Sequence, residues 1–123
     1  MEKQFVTYEI ALKLKGLGFD EPCYAHFRDK DSLIAVSSGI AGIRYSWIEN
    51  KDVILSPLWQ QVIDWFRDNK KIHISLPNHY DGNSIDIRNF NNDKSYHSMD
   101  EDKWYEDYYE CRILSILKAF ELI

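Results

Sequence analysis

Residues 56–76 read SPLWQQVIDWFRDNKKIHISL, and their hydrophobic period changes partway along. Ser56 and Pro57 are typical of a helix start, with serine as the N-cap and proline at the first helical position. The apolar side chains that follow recur at helical spacing and predict one broad buried face: Leu58, Trp59, Val62, Ile63, Trp65 and Phe66. From residue 72 to 76, every second residue is isoleucine or leucine, which predicts a strand with one buried face. Helix and strand therefore belong to one mixed fold.

The residues before this stretch predict a helix, a hairpin and a third strand. Apolar side chains recur every three or four positions from Thr7 to Leu17, with Thr7 as the N-cap and Gly18 beyond the end. Alternation after Pro22 and the apolar run 33–36 predict a hairpin, and residues 43–48 predict a third strand.

The residues after it predict a second hairpin and a last helix. Alternation resumes at 84–88, across a turn at 77–83, and residues 89–96 are polar and predict a loop. Ser98 to Glu101 matches a capping box that opens the last helix. We therefore expect a single α+β domain over residues 1–123, with about three helices packed on an antiparallel sheet of four to five strands. The expected order is α-β-β-β-α-β-β-α.

Composition excludes several classes of protein. Hydrophobic residues make up 45% and charged residues 28% of the 123, which is not the composition of a disordered chain. A net charge of −5 argues against binding to nucleic acid or to an anionic membrane. The N-terminus does not resemble a signal peptide and no apolar run is long enough to cross a bilayer, so we expect a cytoplasmic protein. Cys23 and Cys111 are then expected to be free, buried thiols.

Aromatic residues reach 15% of the chain and are densest near the start of the last helix. Trp104, Tyr105, Tyr108 and Tyr109 exceed what one buried helix stripe needs. Either all four pack on the sheet, or Trp104 and Tyr108 reach the surface and mark a contact with a protein partner or a second copy of the chain. Acidic residues at 100–110 would suit mimicry of nucleic acid, although a solvated helix face also explains them.

A second set of candidates surrounds the 77–83 turn. His73, His79, Asp81 and Asp86 combine imidazole and carboxylate groups that acid–base chemistry or a small ligand would use. Turn formation alone also favours such residues. The alternative function is therefore a small-ligand- or metal-dependent enzyme that uses this region.

A metal site at Cys23 and His26 is not predicted, although their spacing is C-x-x-H. Residues three apart on a strand point to opposite faces, and no second closely spaced pair completes a tetrahedral set. Carboxylates near Cys111 oppose the thiolate form that a reactive cysteine needs, and Cys23 is expected to pack with Ala25 and Phe27 on the inward face of its strand. We therefore predict no cofactor, no metal and no catalytic residue.

Several segments resemble a family of small uncharacterised proteins from Bacteroidales bacteria and their phages. They are PLWQQVIDWFR at 57–67, FVTYEIALKLK at 5–15, LGFDEPC at 17–23 and, less distinctively, YYECR at 108–112. The resemblance spans most of the chain except the middle strands and residues 89–96. It implies a bacterial or prophage origin and brings no catalytic residues with it. The leading interpretation is a non-enzymatic interaction or accessory protein.

Overall fold

The computed structural model describes residues 2–35, 42–48, 52–80 and 82–123. They form two compact units, Met1–Trp59 and Gln60–Ile123, which are described in turn. The described residues contain three α-helices and antiparallel sheets of three, three and two strands. The α+β class is therefore confirmed and the expected order of elements roughly matches, but the described residues form eight strands in three sheets where the sequence predicts four to five strands in one sheet. A single domain over 1–123 stays a prediction.

The first helix, α1 (Tyr8–Gly16), is confirmed. Thr7 is its N-cap, and its hydroxyl oxygen accepts a hydrogen bond from the Ile10 N–H at 3.4 Å. Ile10 and Leu14 are buried on the face that the spacing predicts. The helix ends before Gly18, whose φ of +87° is a left-handed conformation that suits glycine.

The sheet of the first unit has β1 (Ala25–Asp29) at its centre, between β2 (Ser32–Ala35) and β3 (Ile54–Leu55). The hairpin of β1 and β2 is confirmed over these residues, and position 36, the end of the predicted second strand, lies outside the described residues.

The strand predicted at 43–48 is wrong. Ile43 makes a single bridge to Cys23, and Tyr45–Trp47 is a 3-10 turn. Two side chains hold the turn: the Asp20 carboxylate accepts from Ser46 N–H, and the Tyr45 hydroxyl accepts from Leu55 N–H. These contacts with residues distant in sequence outweigh the local strand preference.

The second helix, α2, covers Trp59–Trp65 and continues as a π-helical turn over Phe66–Lys70. The predicted start, with Ser56 as the N-cap and Pro57 as the first helical residue, is wrong by two residues. The Ser56 hydroxyl donates to the Val6 carbonyl at 2.9 Å, and the Pro57 carbonyl accepts from Val6 N–H at 3.0 Å. Both residues therefore bind the N-terminal segment and do not cap α2.

The second unit contains β4 (Ile72–Ser75), β5 (Asn78–His79), β6 (Gly82–Asn83), β7 (Asp86–Asn89) and β8 (Ser95–His97). One sheet has the order β4-β7-β8, and β5 pairs with β6. The predicted hairpin is confirmed as β4 and β7. The predicted loop at 89–96 is shorter than expected, because Asp93, at φ +61°, turns the chain back and β8 joins the sheet.

The last helix, α3, covers Tyr108–Glu121, so its predicted start at Ser98 is wrong. Ser98–Glu101 is a 3-10 turn that ends at Asp102, which has a left-handed φ of +55°. Asp107 is the N-cap of α3, and its carboxylate accepts from Tyr109 N–H at 2.9 Å. In the described part of the chain, no helix has the length and apolar character that a membrane span requires.

The core of the second unit lies between α3 and the β4-β7-β8 sheet. Phe66 is fully buried, and its ring meets Phe120 of α3 edge to face at 5.2 Å. Ile72 and Ile87 contribute the apolar face of the sheet. Because consecutive strand residues alternate faces, the opposite face carries His73, Ser75, Asp86 and Arg88.

Candidate functional site: an aromatic edge beside α3

The residues predicted for contact lie where the β5–β6 hairpin meets the chain leading into α3. We call residues 78–80, 82–83 and 104–108 the aromatic edge. Two backbone hydrogen bonds join its halves: Asn83 N–H donates to the Tyr105 carbonyl and Tyr105 N–H to the Asn83 carbonyl, both at 2.9 Å. Such pairing fixes the hairpin against the segment that begins α3.

Gly82 permits this close approach. Its φ is +136°, and a Cβ at this position would lie 2.8 Å from the Tyr105 carbonyl oxygen. Any other residue would meet both a backbone clash and a strained conformation. Glycine is therefore required at position 82 because the chain there packs against the backbone of Tyr105, which lies 23 residues later in the sequence.

Trp104 and His79 contact each other across the aromatic edge. Their ring centroids are 4.7 Å apart and the planes meet at 86°. His79 Nε2 also lies 3.0 Å from the Ser84 hydroxyl oxygen, which fixes the orientation of the imidazole. Ser84 is only 1% exposed, so this His–Ser pair has a buried hydroxyl and is a structural contact. Trp104, which packs against His79, is half-buried.

Two tyrosines of the edge are exposed. Tyr108 is 45% exposed, and the guanidinium of Arg112 lies 4.5 Å from its ring centroid. Tyr80, at the turn of the hairpin, is fully exposed. The sequence gives Tyr80 no place in the periodic core, and a large ring at the tip of a tight turn is itself a signal for exposure.

Acidic side chains surround the edge. Between residues 100 and 112, six side chains are acidic and two are basic. All six carboxylates are exposed: Asp100, Glu101, Asp102, Glu106, Asp107 and Glu110. The surface near Trp104 and Tyr108 is therefore both aromatic and negatively charged.

The described residues predicted for a ligand each make a different side-chain contact, although His73 and Asp86 lie on the same face of the β4-β7-β8 sheet. His79 contacts Trp104, and His73 meets Phe90 edge to face with ring centroids 4.7 Å apart. A carboxylate oxygen of Asp86 lies 3.0 Å from His97 Nδ1. Asp81 lies outside the described residues. The three described candidates thus belong to three separate contacts.

The pair of Asp86 and His97 is the arrangement closest to a catalytic one. Strand register places Ser75, Asp86 and His97 in one row across β4, β7 and β8. A Ser–His–Asp triad needs histidine between the other two, so that it can take the serine proton. In this row aspartate is central, and the row does not have the order that nucleophilic catalysis requires.

Both thiols are free and buried, as predicted. Burial raises the pKa of Cys23 to about 12 and that of Cys111 to about 11, with further increases from nearby carboxylates. A protonated thiol is a poor nucleophile and a poor metal ligand. Among the described residues, no group of three or more His, Cys, Asp or Glu side chains is placed to hold a metal ion.

Comparison with protein-family models, with curated proteins and with solved structures gave no match for this chain.

Proposed function

We propose that this chain is a non-enzymatic interaction protein of bacterial or prophage origin that binds a protein partner through the aromatic edge. The observation that carries the proposal is the exposure of Tyr80 and Tyr108 on a backbone that is already held in place by the pairing of Asn83 with Tyr105. Aromatic residues dominate the energetic centres of protein interfaces. A surface whose backbone is fixed before binding loses less entropy when the complex forms.

The charge around the edge favours a basic partner over a second copy of the chain. A twofold dimer through this surface would place the six carboxylates of one copy against those of the other. Like charges that face each other across an interface disfavour association. Lysine and arginine side chains of a partner would instead meet carboxylates at the rim and ring faces at the centre, where cation–π contacts form. Arg112 already makes such a contact with Tyr108 within the chain.

The test is co-purification with the products of neighbouring genes, each co-expressed with this protein. We expect a partner with a basic surface to be retained by the wild-type chain and released by the Tyr80→Ala and Tyr108→Ala variants. Phe90→Ala and Trp47→Ala are matched controls, because these rings are 57% and 59% exposed but lie outside the edge. They are expected to retain the partner.

Three results would contradict the proposal. They are the absence of any binding neighbour, binding that survives both tyrosine variants, and release by the control variants to the same extent. Light scattering coupled to size exclusion examines self-association separately. A dimer that Tyr108→Ala dissociates would identify a second copy as the occupant of the edge and overturn the choice of a basic partner.

A further inference from the structure

A cleft of about 310 Å³ lies in the second unit, between α3 and the chain that follows β8. Known small-molecule sites begin at roughly this volume. The cleft shares Tyr105 with the aromatic edge, but the two exposed tyrosines that carry the proposed interaction, Tyr80 and Tyr108, do not line it.

The floor of the cleft is apolar. It consists of Ile85, which is buried, and of Leu114 and Leu117, which are half-buried on α3. These leucines lie beside the core stripe of the helix, which contains Cys111 and Ile116. The floor therefore offers hydrophobic surface to a molecule that enters the cleft.

Two ammonium groups flank the floor from different elements. Lys118 comes from α3, and Lys103 comes from the segment after the 3-10 turn. Lys118 Nζ is 3.0 Å from a Glu121 carboxylate oxygen, and Lys103 Nζ is 3.1 Å from one of Glu101. An ammonium group has three N–H donors, so one ion pair leaves donors for a further acceptor.

A phenol contributes to the polar side of the cleft. The Tyr96 hydroxyl donates to Glu101 at 3.3 Å, and Lys118 Nζ lies 4.6 Å from the Tyr96 ring centroid. Burial, with the neighbouring Tyr105 and Glu101, raises the pKa of Tyr96 to about 12, so its hydroxyl stays protonated at neutral pH. Glu101 thus already accepts from the Tyr96 hydroxyl and pairs with Lys103, whereas Lys103 and Lys118 each have N–H donors left for a further acceptor.

We propose that this cleft binds a small carboxylic acid with a short apolar body. The body would lie on Ile85, Leu114 and Leu117, and the carboxylate would accept hydrogen bonds from Lys103 and Lys118. Charge-assisted hydrogen bonds of this kind are stronger than neutral ones, which gives the site a preference for the acid over an uncharged analogue of the same shape.

The test uses phenylbutyrate, with phenylbutyramide and phenylbutylamine as neutral and cationic probes of similar shape. Binding is followed by NMR titration of the leucine and isoleucine methyl groups. We expect phenylbutyrate to shift the Leu114 and Leu117 methyl signals in a saturable manner, and the amide to bind about tenfold more weakly, as expected for a lost charge-assisted contact.

Substitutions then locate the site. Lys118→Met keeps most of the aliphatic stem and removes the charge, so it is expected to weaken phenylbutyrate binding about tenfold while leaving the amide unaffected. Lys103→Met gives a second, independent reading if Lys118→Met does not fold. Lys94→Met is the control, since Lys94 is an exposed lysine of the same unit outside the cleft. Equal binding of the acid and the amide, tighter binding of the amine, or the absence of saturable shifts would overturn the proposal.

Discussion

His79 and Trp104 contact each other edge to face, with their ring centroids 4.7 Å apart. The two residues are 25 positions apart in the sequence and were expected to serve different purposes, one in ligand chemistry and the other in partner binding. Their contact exists because the β5–β6 hairpin folds against Tyr105. The imidazole therefore packs against the indole within the aromatic edge, and this contact depends on the hairpin remaining folded.

Replacement of Gly82 by alanine should disrupt this hairpin. A Cβ at residue 82 would lie 2.8 Å from the Tyr105 carbonyl oxygen, and the φ of +136° is unfavourable for any side chain. We expect Gly82→Ala to lower the free energy of unfolding by about 1–3 kcal/mol. Urea unfolding measures this loss, and hydrogen exchange at Asn83 and Tyr105 shows whether the hairpin opens locally.

Gly16→Ala is the matched control for this substitution. Gly16 ends α1, and a Cβ there would meet nothing within 4 Å. Alanine is the better helix former by up to about 1 kcal/mol, so we expect an unchanged or slightly raised stability. Equal effects of the two substitutions would show that the approach of Gly82 to Tyr105 has no energetic importance.

The parts of the fold that the sequence predicts well depend on local patterns. Thr7 caps α1 where the spacing places it, and the alternation at 72–76 and 84–88 gives the pair of β4 and β7. Ser56 and Ser98 have equally good local patterns for a cap, yet neither caps an α-helix. Their hydroxyl groups instead bond Val6 and Ile85, which are 50 and 13 residues away. The residues next to each serine do not indicate such distant partners, so local pattern cannot predict these bonds. The same holds for the contact of His79 with Trp104.

Substitution of Ser98 and Asp107 distinguishes the two possible starts of the last helix. The Ser98 hydroxyl oxygen accepts from the buried Ile85 N–H at 2.8 Å, so Ser98→Ala leaves that donor unpaired and should cost about 1–3 kcal/mol. Asp107→Ala removes the N-cap of α3 and should cost about 1 kcal/mol. Urea unfolding measures both losses.

Asp107→Asn is the control for the capping assignment. Asparagine keeps the side-chain oxygen that accepts from Tyr109 N–H and is as good an N-cap as aspartate, so its effect should be smaller than that of alanine. A fully tolerated Ser98→Ala would be inconsistent with its hydroxyl as the partner of Ile85. Equal losses for Asp107→Ala and Asp107→Asn would exclude a capping role for that carboxylate.

Ser56→Asp tests the corrected start of α2. At an N-cap, aspartate replaces serine without loss. In the structure, however, Ser56 is fully buried and its hydroxyl donates to the Val6 carbonyl, a role that an ionised carboxylate does not fill. We expect a loss of about 3 kcal/mol or more, as for other uncompensated buried charges. Thr7→Asp, at the true cap of α1, should change stability by less than about 1 kcal/mol. Tolerance of Ser56→Asp at the level of Thr7→Asp would restore Ser56 as a cap.

The buried thiols give the fold a defined pH dependence. Burial raises the pKa of Cys23 and Cys111 from 9.0 to about 12 and about 11. In the folded chain the thiols therefore hold their protons at a pH where those of the unfolded chain have lost them. Their contribution to stability is complete below about pH 8, one unit under the unfolded value of 9.0, and declines as the pH rises from there toward the folded values.

We accordingly expect the urea midpoint to fall between about pH 8 and pH 9.5, with little change between about pH 7 and pH 8. Most of the fall should come from the thiols, since unfolded tyrosines titrate only near pH 10. Cys23→Ala and Cys111→Ala are each expected to reduce the fall relative to the wild-type chain, because each removes one group whose pKa differs between the two states. The slope of the urea midpoint against pH in this range therefore measures how strongly the folded chain raises the pKa of its two thiols. A wild-type midpoint that stays constant up to pH 9.5, or alanine variants that keep the full slope, would show that the thiols ionise as readily in the folded chain as in the unfolded one.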